Sequence, residues 1–413
     1  MTADSTPVEP LAATGPTITL AAAHGVYDGW LGGSFDLAAL DIVLATAAVQ
    51  QLDGDPVWLL VVSGPGNAKT ETVGSLIGAG AYVTSTISSE GALLSASPRK
   101  EQAANATGGL LRKVGSSGIV VVKDFTTILS MNRDVRAAVL AALREVYDGR
   151  WERNVGTDGG RSLLWTGRLS LIGAVTSAYD SAHGVIASMG DRFALVRVDS
   201  KIGRLDAGWQ ALQNVGFEEQ MRPELAAAAG AVLAGVDPMK AVLAEADMHV
   251  LLGLADLVTL ARTAVERDYR GEVQEAHAPE APTRFAKMLG QLVRGGLALG
   301  AEHEHALSMA VRVAGDSVPP LRLALLADLL DHPGGRTTEV TQRLQRPRST
   351  VDRGLQELHA LGLVEVEQSD DKRGWRYRLA ASVDEQALTR LITRNVTRHG
   401  YGFKEGPVLA TST

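Results

Sequence analysis

The chain has 413 residues, 40 basic against 47 acidic side chains, a formal net charge of −7 and no cysteine. That length suggests two to four domains with ample chain for a real core, and an apolar fraction of 45% with 21% charged residues excludes wholesale disorder. The missing cysteines exclude disulfides, thiolate zinc sites, iron–sulfur clusters and Cys nucleophiles and fit a cytoplasmic setting. The mild acidity argues against nonspecific nucleic-acid affinity over the whole surface while leaving local basic patches open. The start, MTADSTPVEPLAATGPT, has neither the basic nor the apolar stretch of a secretory signal, and no apolar run is long enough for a membrane span.

In chain order, residues 1–16 read as a frayed, Pro/Thr/Ala-rich start. A turn at Gly32-Gly33 leads into helical spacing of Leu37, Leu40, Val43 and Leu44. The apolar runs Val57–Val62, Ile119–Val122, Leu169–Val175 and, more weakly, Ala194–Val198 have the pattern of buried parallel strands, and helices such as Arg133–Tyr147 separate them. Strands alternating with helices predict an α/β domain with a parallel sheet over 17–200. Residues 201–315 read as all-helical, with amphipathic stretches at Pro223–Leu233 and Met248–Asp268 and a polar break at Gly271–Pro282. Pro319-Pro320 opens a compact helical-then-hairpin segment, 316–382, and 383–413 reads as a tail.

The main chemistry lies in Val57-Trp58-Leu59-Leu60-Val61-Val62-Ser63-Gly64-Pro65-Gly66-Asn67-Ala68-Lys69-Thr70-Glu71. A buried strand runs into a Gly/Pro loop and then Lys-Thr, close to the pattern G-x-x-x-x-G-K-[ST]. Such a loop, here Gly64 to Glu71, points backbone N–H groups at phosphate oxygens and adds a helix N-terminus. Lys69 supplies a point charge for the β/γ-phosphates, and the Thr70 hydroxyl can ligate Mg²⁺. Two glycines of the pattern are replaced. Ser63 can bond locally, whereas Ala68 puts a Cβ at a crowded position and is expected at negative φ.

The strand Ile119–Val122 ends in Lys123-Asp124, so one acid stands where two successive acids are usual. Asp124 can organise the metal, act as base, or do both. With this acid following the loop, the chain resembles the AAA+ P-loop ATPases over roughly residues 26–315, in particular those of bacterial DNA replication and of phages or mobile elements. The resemblance implies ATP and Mg²⁺ as cofactors, a helical lid over 201–315 and a homo-oligomeric ring, possibly hexameric. By the same resemblance Val26-Tyr27 is the adenine-side segment and Thr176, after the third strand, is a polar sensor. Gly190-Asp191-Arg192-Phe193 matches the element with the arginine finger, which gives Arg192 that role across a subunit interface. Pro282-Thr283-Arg284-Phe285 matches the start of the lid helix that carries a second sensor arginine, Arg284.

Residues 143–168 alternate Arg with Trp and Leu between Asp-Gly turns, as a hairpin does. Its Arg150, Trp151, Arg153, Arg161 and Arg168 suit either nucleic-acid contact or a solvated, charge-decorated hairpin. Val318–Ala380 reads helix–helix–helix–hairpin and resembles a winged helix-turn-helix domain of the bacterial regulator type. That resemblance puts the Ser349–Leu361 helix in the major groove of DNA, with Arg346, Arg348, Ser349, Thr350 and Arg353 at its contacting end and Lys372 and Arg373 in the wing. Asp370 and Asp371 keep a protein-binding role open. The expectation is an ATP-hydrolysing, DNA-associated motor or switch, of the replication initiator, helicase or helicase-loader type. The alternative is a nucleotide-sensing transcription regulator with slow or no turnover.

Overall fold

A computed structural model of the protein describes residues 16–96, 108–156, 159–188, 192–368 and 374–399. Among the described residues, two α-helices precede the first strand. Helix α1 (Leu20–Leu31) is capped by Thr19, whose hydroxyl accepts from Ala22 N, and α2 (Leu37–Ala48) by the Asp36 carboxylate. The sequence of α2, LAALDIVLATAA, is apolar almost all round, and every residue from Ala39 to Ala48 is buried, as a helix packed on several sides requires.

Strand β1 (Leu59–Ser63) follows, then α3 (Lys69–Gly74), prolonged by a 3-10 turn at Ser75–Ala79. Next come β2 (Tyr82–Thr84), the short helices α4 (Glu90–Leu93) and α5 (Leu110–Val114), β3 (Ser117–Val122), α6 (Thr126–Leu129) and α7 (Arg133–Tyr147). A hairpin of β4 (Arg150–Val155) and β5 (Arg161–Thr166) leads into β6 (Arg168–Val175), α8 (Ala178–Ser188) and β7 (Ala194–Val198). The sheet has five strands in the order β2-β3-β6-β1-β7, and every pairing is parallel. Strands β1, β3, β6 and β7 are buried on both faces over most of their length, which is why they read as unbroken apolar runs, while the edge strand β2 is half-buried. Each fully buried Val or Leu contributes about 1.5–3 kcal/mol. Trp58, just before β1, is 1% exposed; it donates its indole N–H to Leu169 O at 2.7 Å and lies between Tyr147 and Phe193. Because the sheet is parallel, the carboxyl ends of β1, β3 and β6 share one edge.

After β7 come α9 (Arg204–Gln213), α10 (Glu218–Ala234), α11 (Glu245–Ala261), β8 (Val265–Arg267), β9 (Val273–Ala276), α12 (Thr283–Ala298) and α13 (His303–Asp316). Helix α10 lies backbone-to-backbone on the 3-10 turn: a Cβ on Gly78 would stand 1.8 Å from Ala226 O, and one on Gly230 2.3 Å from Gly78 O. Helix α12 approaches α2 as closely, a Cβ on Gly295 falling 2.2 Å from Ala45 O.

The stretch read as all-helical therefore contains a hairpin. The helical spacing expected to run to Asp268 stops at Ala261, where Thr259 and Thr263 bond back to carbonyls one turn earlier and the chain passes into strand β8. By packing, the chain divides into two units, Met1–Leu251 with Thr283–Val313, and Leu252–Pro282 with Ala314–Thr413, so that the expected lid is split between them.

The second unit continues with α14 (Pro320–Asp331), β10 (Gly335–Arg336), α15 (Thr337–Leu344), α16 (Arg348–Ala360), β11 (Val364–Gln368), β12 (Trp375–Leu379) and α17 (Glu385–His399). The strands form an antiparallel sheet in the order β10-β12-β11. Leu325, Val340, Val351, Leu355, Leu358 and Tyr377 make its core. The buried Asp328 holds α15 to α14 by accepting two hydrogen bonds from Arg343, at 2.6 and 2.7 Å. The expected tail opens as a helix, because Ala387, Leu388 and Leu391 repeat at helical spacing and are buried.

Candidate nucleotide site and candidate nucleic-acid face

The loop between β1 and α3 turns twice through positive φ. Gly66 lies at φ +84° and Ala68 at φ +50°. Ala68 is thus in the left-handed region, contrary to the negative φ expected for it. For a residue with a Cβ this conformation costs about 1–2 kcal/mol, a strain typical of functional backbone. The Ser63 hydroxyl donates to Gly64 O at 3.2 Å, a bond within the loop's own backbone. Gly64 lies against Ser200, at the exit of β7, with Oγ 3.0 Å from where a Cβ would be.

Lys69 Nζ folds back on the loop and donates to Gly64 O at 2.9 Å. Burial pushes its pKa down, and the charge of Asp124 opposes this. That coupling places the exposed Asp124, at the end of β3, within electrostatic reach of Lys69. Asp124 Oδ2 accepts from the Thr127 hydroxyl at 2.6 Å. Thr176, at the end of β6, donates its backbone N–H to Thr126 Oγ1 at 3.0 Å, and the two hydroxyls are 3.4 Å apart. Lys69, Thr70, Asp124 and Thr176 therefore gather at the carboxyl edge of the sheet, where ligands of open parallel sheets bind. The donor set, an exposed threonine hydroxyl and one carboxylate, suits a hard cation sharing its shell with phosphate oxygens.

One arginine at this site carries no sequence signal. Arg222, on α10, donates through Nε and Nη2 to both oxygens of Glu71, at 2.9–3.2 Å. Glu71 is the residue after Thr70. The backbone contact of Gly78 with α10 fixes the helix that brings Arg222 there, from 151 residues away in sequence.

Other expected residues fall elsewhere. Tyr27 is fully buried; it donates to Ser75 Oγ at 2.6 Å and stacks on Phe35, and burial raises its pKa to about 12. It ties α1 to the 3-10 turn after α3 and does not stand open to a base, while the neighbouring Val26 is half-buried. Arg192 precedes β7 and so lies at the amino edge, where Ala194 pairs with Leu59. It donates to Asp148 Oδ2 at 3.3 Å and sits 5.6 Å over the Tyr147 ring. Arg284, in the first turn of α12, acts electrostatically on the same Tyr147 hydroxyl, as does Asp55 before β1. The five residues of β1 separate the two edges by about 16 Å, so neither arginine lies beside the phosphate loop of its own chain. For Arg284 this departs from the expected lid position. Gly190 and Asp191 lie outside the described residues.

In the β4–β5 hairpin, Trp151 is buried and Arg153 pairs with Glu90 and donates to Leu94 O. Arg168 donates to the carbonyls of Val49, Gln50 and Gly54. These residues brace the core, whereas Arg150 pairs with Glu152 on the surface.

In the second unit, Arg346, Arg348, Ser349, Thr350 and Arg353 cluster at the amino-terminal half of α16, all but the half-buried Thr350 exposed. Gly354 behind them packs on Leu325 of α14. Lys372 and Arg373 lie outside the described residues; the β11–β12 hairpin that leads to them exposes Trp375.

No protein-family model and no curated protein matches the chain. Among solved structures, the apo C-terminal region of NrS-1 is similar at 9% identity and TM-score 0.34, covering 92% of this chain and 79% of that one. The Aeropyrum pernix ORC1 protein in complex with DNA is similar at 14% identity and TM-score 0.25, covering 87% and 92%. Likeness this distant carries no argument about activity. No described helix is long and apolar enough to cross a membrane.

Proposed function

We propose that the protein is a DNA-associated ATPase of the AAA+ type. The carrying observation is the gathering of Lys69, Thr70, Asp124 and Thr176 at one edge of a parallel sheet, behind a loop whose backbone turns twice through positive φ. In this reading Gly64 to Thr70 would hold the phosphates of ATP, and Thr70 with Asp124 would hold Mg²⁺, which would supply charge neutralisation at the phosphates. Lys69 exchanges its bond to Gly64 O for phosphate oxygen. Asp124, Thr126 and Thr176 orient the attacking water, and Arg222 shifts from Glu71 toward the terminal phosphate.

Arg192 and Arg284, on the opposite edge, serve the site of a neighbouring subunit. An oligomer is favoured further by α9, which buries none of its residues and leaves Leu205, Trp209 and Leu212 exposed at helical spacing. Residues 320–379 are read as a winged helix in which α16 faces DNA. The finer types, initiator, helicase or helicase loader, belong to this proposal and share its site.

Lys69→Ala should lose ATP turnover by at least 100-fold while keeping its fold by circular dichroism. Unchanged turnover overturns the assignment. The second reading, a nucleotide-sensing regulator with slow hydrolysis, is favoured by Ala68 in its strained conformation and by Lys123 beside a single acid. Turnover measured with and without DNA separates the two: stimulation supports the motor, and sequence-specific binding without turnover supports the regulator.

A further inference from the structure

Residues 265–276, a polar stretch in the sequence, form a hairpin seated against α16. Its turn is specified locally: Asp268 Oδ1 accepts from the backbone N–H of Arg270 at 2.8 Å and of Glu272 at 2.9 Å, and Gly271 takes φ +82°. It is tied down beside the turn, at one carboxylate. Arg267 donates to Glu357 Oε1 of α16 and to Gly271 O at 2.6 Å. Arg322 of α14, itself buried, donates to Glu357 Oε2 at 3.0 Å and to the carbonyls of Ala261 and Thr263. Three elements meet at Glu357, so the hairpin is held in place beside the helix.

The tip is differently built. Arg353 of α16 donates to Arg270 O at 3.3 Å and packs along Gly271. Ser349, four residues before Arg353, shares its helix face. Tyr269 is 87% exposed, with the Arg270 guanidinium 5.2 Å over its ring. Among the described residues neither Arg270 nor Arg353 has a carboxylate partner. The hairpin as a whole is acidic, carrying Glu266, Asp268, Glu272 and Glu275 against two arginines. Asp268 is committed to the turn and Arg267 to Glu357, which leaves Arg270 as the available cation. An anion contact is thereby confined to the tip, adjoining Ser349 and Arg353.

We propose that the β8–β9 tip is a second DNA-contacting wing, in which Tyr269 and Arg270 extend the face of α16 along the duplex backbone. Arg270 pairs with a phosphate, and the exposed Tyr269 ring lies against sugar or base. The proposal rests on the reading of α16 as the DNA-facing helix, and the test separates the two.

Binding of the full chain to a fluorescein-labelled, mixed-sequence duplex is followed by anisotropy across a salt titration, for wild type, Arg348→Ala, Arg353→Ala, Tyr269→Ala, Arg270→Ala and Arg267→Ala. Arg270→Ala should reduce the slope of log K against log salt by about one, and Tyr269→Ala should weaken binding roughly ten-fold. Both side chains are at the surface, so the fold should be kept. If both hairpin variants bind like wild type while Arg348→Ala is weakened, the wing is wrong and the α16 reading stands. If Arg348→Ala and Arg353→Ala also bind like wild type, or no binding occurs, the α16 reading falls and the wing with it. If Arg267→Ala, which frees the turn from Glu357, tightens binding, the hairpin shields α16 and the proposal is overturned.

Discussion

At the scale of single residues the most informative position is Ala68. A phosphate loop needs its backbone N–H groups turned inward, and here that turn requires positive φ at a residue with a Cβ. Ala68→Gly removes about 1–2 kcal/mol of left-handed strain and adds about 0.5–1 kcal/mol of unfolded-state freedom. The expected net is a gain of up to about 1 kcal/mol in chemical denaturation, with nucleotide affinity kept or improved. A loss of stability would mean that the alanine methyl makes packing worth more than the strain. The sequence shows that the residue departs from the pattern but not which way it turns, because a Cβ at negative φ was equally consistent with the letters. Tyr27 teaches the same lesson: its position before α2 was legible, but its burial against Ser75 depends on helices that close over it from far along the chain.

At the scale of elements, four of the five parallel strands and α7 were legible because burial on two faces, or one apolar stripe, writes itself into a short stretch of sequence, whereas the short, half-buried β2 at the sheet edge was not. The placing of Arg222 was not legible, since it follows from a close approach between Gly78 and Gly230, one local sequence meeting another. The β8–β9 hairpin was also missed, although Asp268 and Gly271 are turn residues, because helical spacing upstream overran it. The Gly78–α10 contact makes a prediction. Gly230→Ala builds a methyl 2.3 Å from Gly78 O, which forces α10 away from the 3-10 turn at a cost of about 1–3 kcal/mol. Because α10 carries Arg222, nucleotide affinity should fall together with stability. Gly25→Ala, in an exposed α1 position with open space around it, is the control and should be neutral or stabilising by up to about 1 kcal/mol. Equal destabilisation by both would show that the close backbone approach is not what sets α10.

At the scale of the whole molecule the proposed function raises the question of where the groups of one site come from. Lys69, Thr70 and Asp124 lie at the carboxyl edge of the sheet, whereas Arg192 and Arg284 flank Tyr147 at the amino edge. Side chains cannot span the length of β1, so an arginine acting at the γ-phosphate from that edge must belong to the next subunit. To do so Arg192 gives up Asp148, at 3.3 Å, and its place over the Tyr147 ring. Subunit mixing tests this directly. Lys69→Ala alone and Arg192→Ala alone should each be nearly inactive. When the two are mixed in equal amounts and allowed to exchange, an Arg192→Ala subunit keeps an intact phosphate loop and can face the intact Arg192 of a Lys69→Ala neighbour. Random arrangement makes about a quarter of the interfaces complete in both parts, so turnover should return to as much as about 25% of wild type per site. Turnover that stays at the level of the separate variants, under conditions where exchange is demonstrated, would place Arg192 outside the neighbouring site. Full activity of Arg192→Ala on its own would reduce the residue to the structural partner of Tyr147 and Asp148.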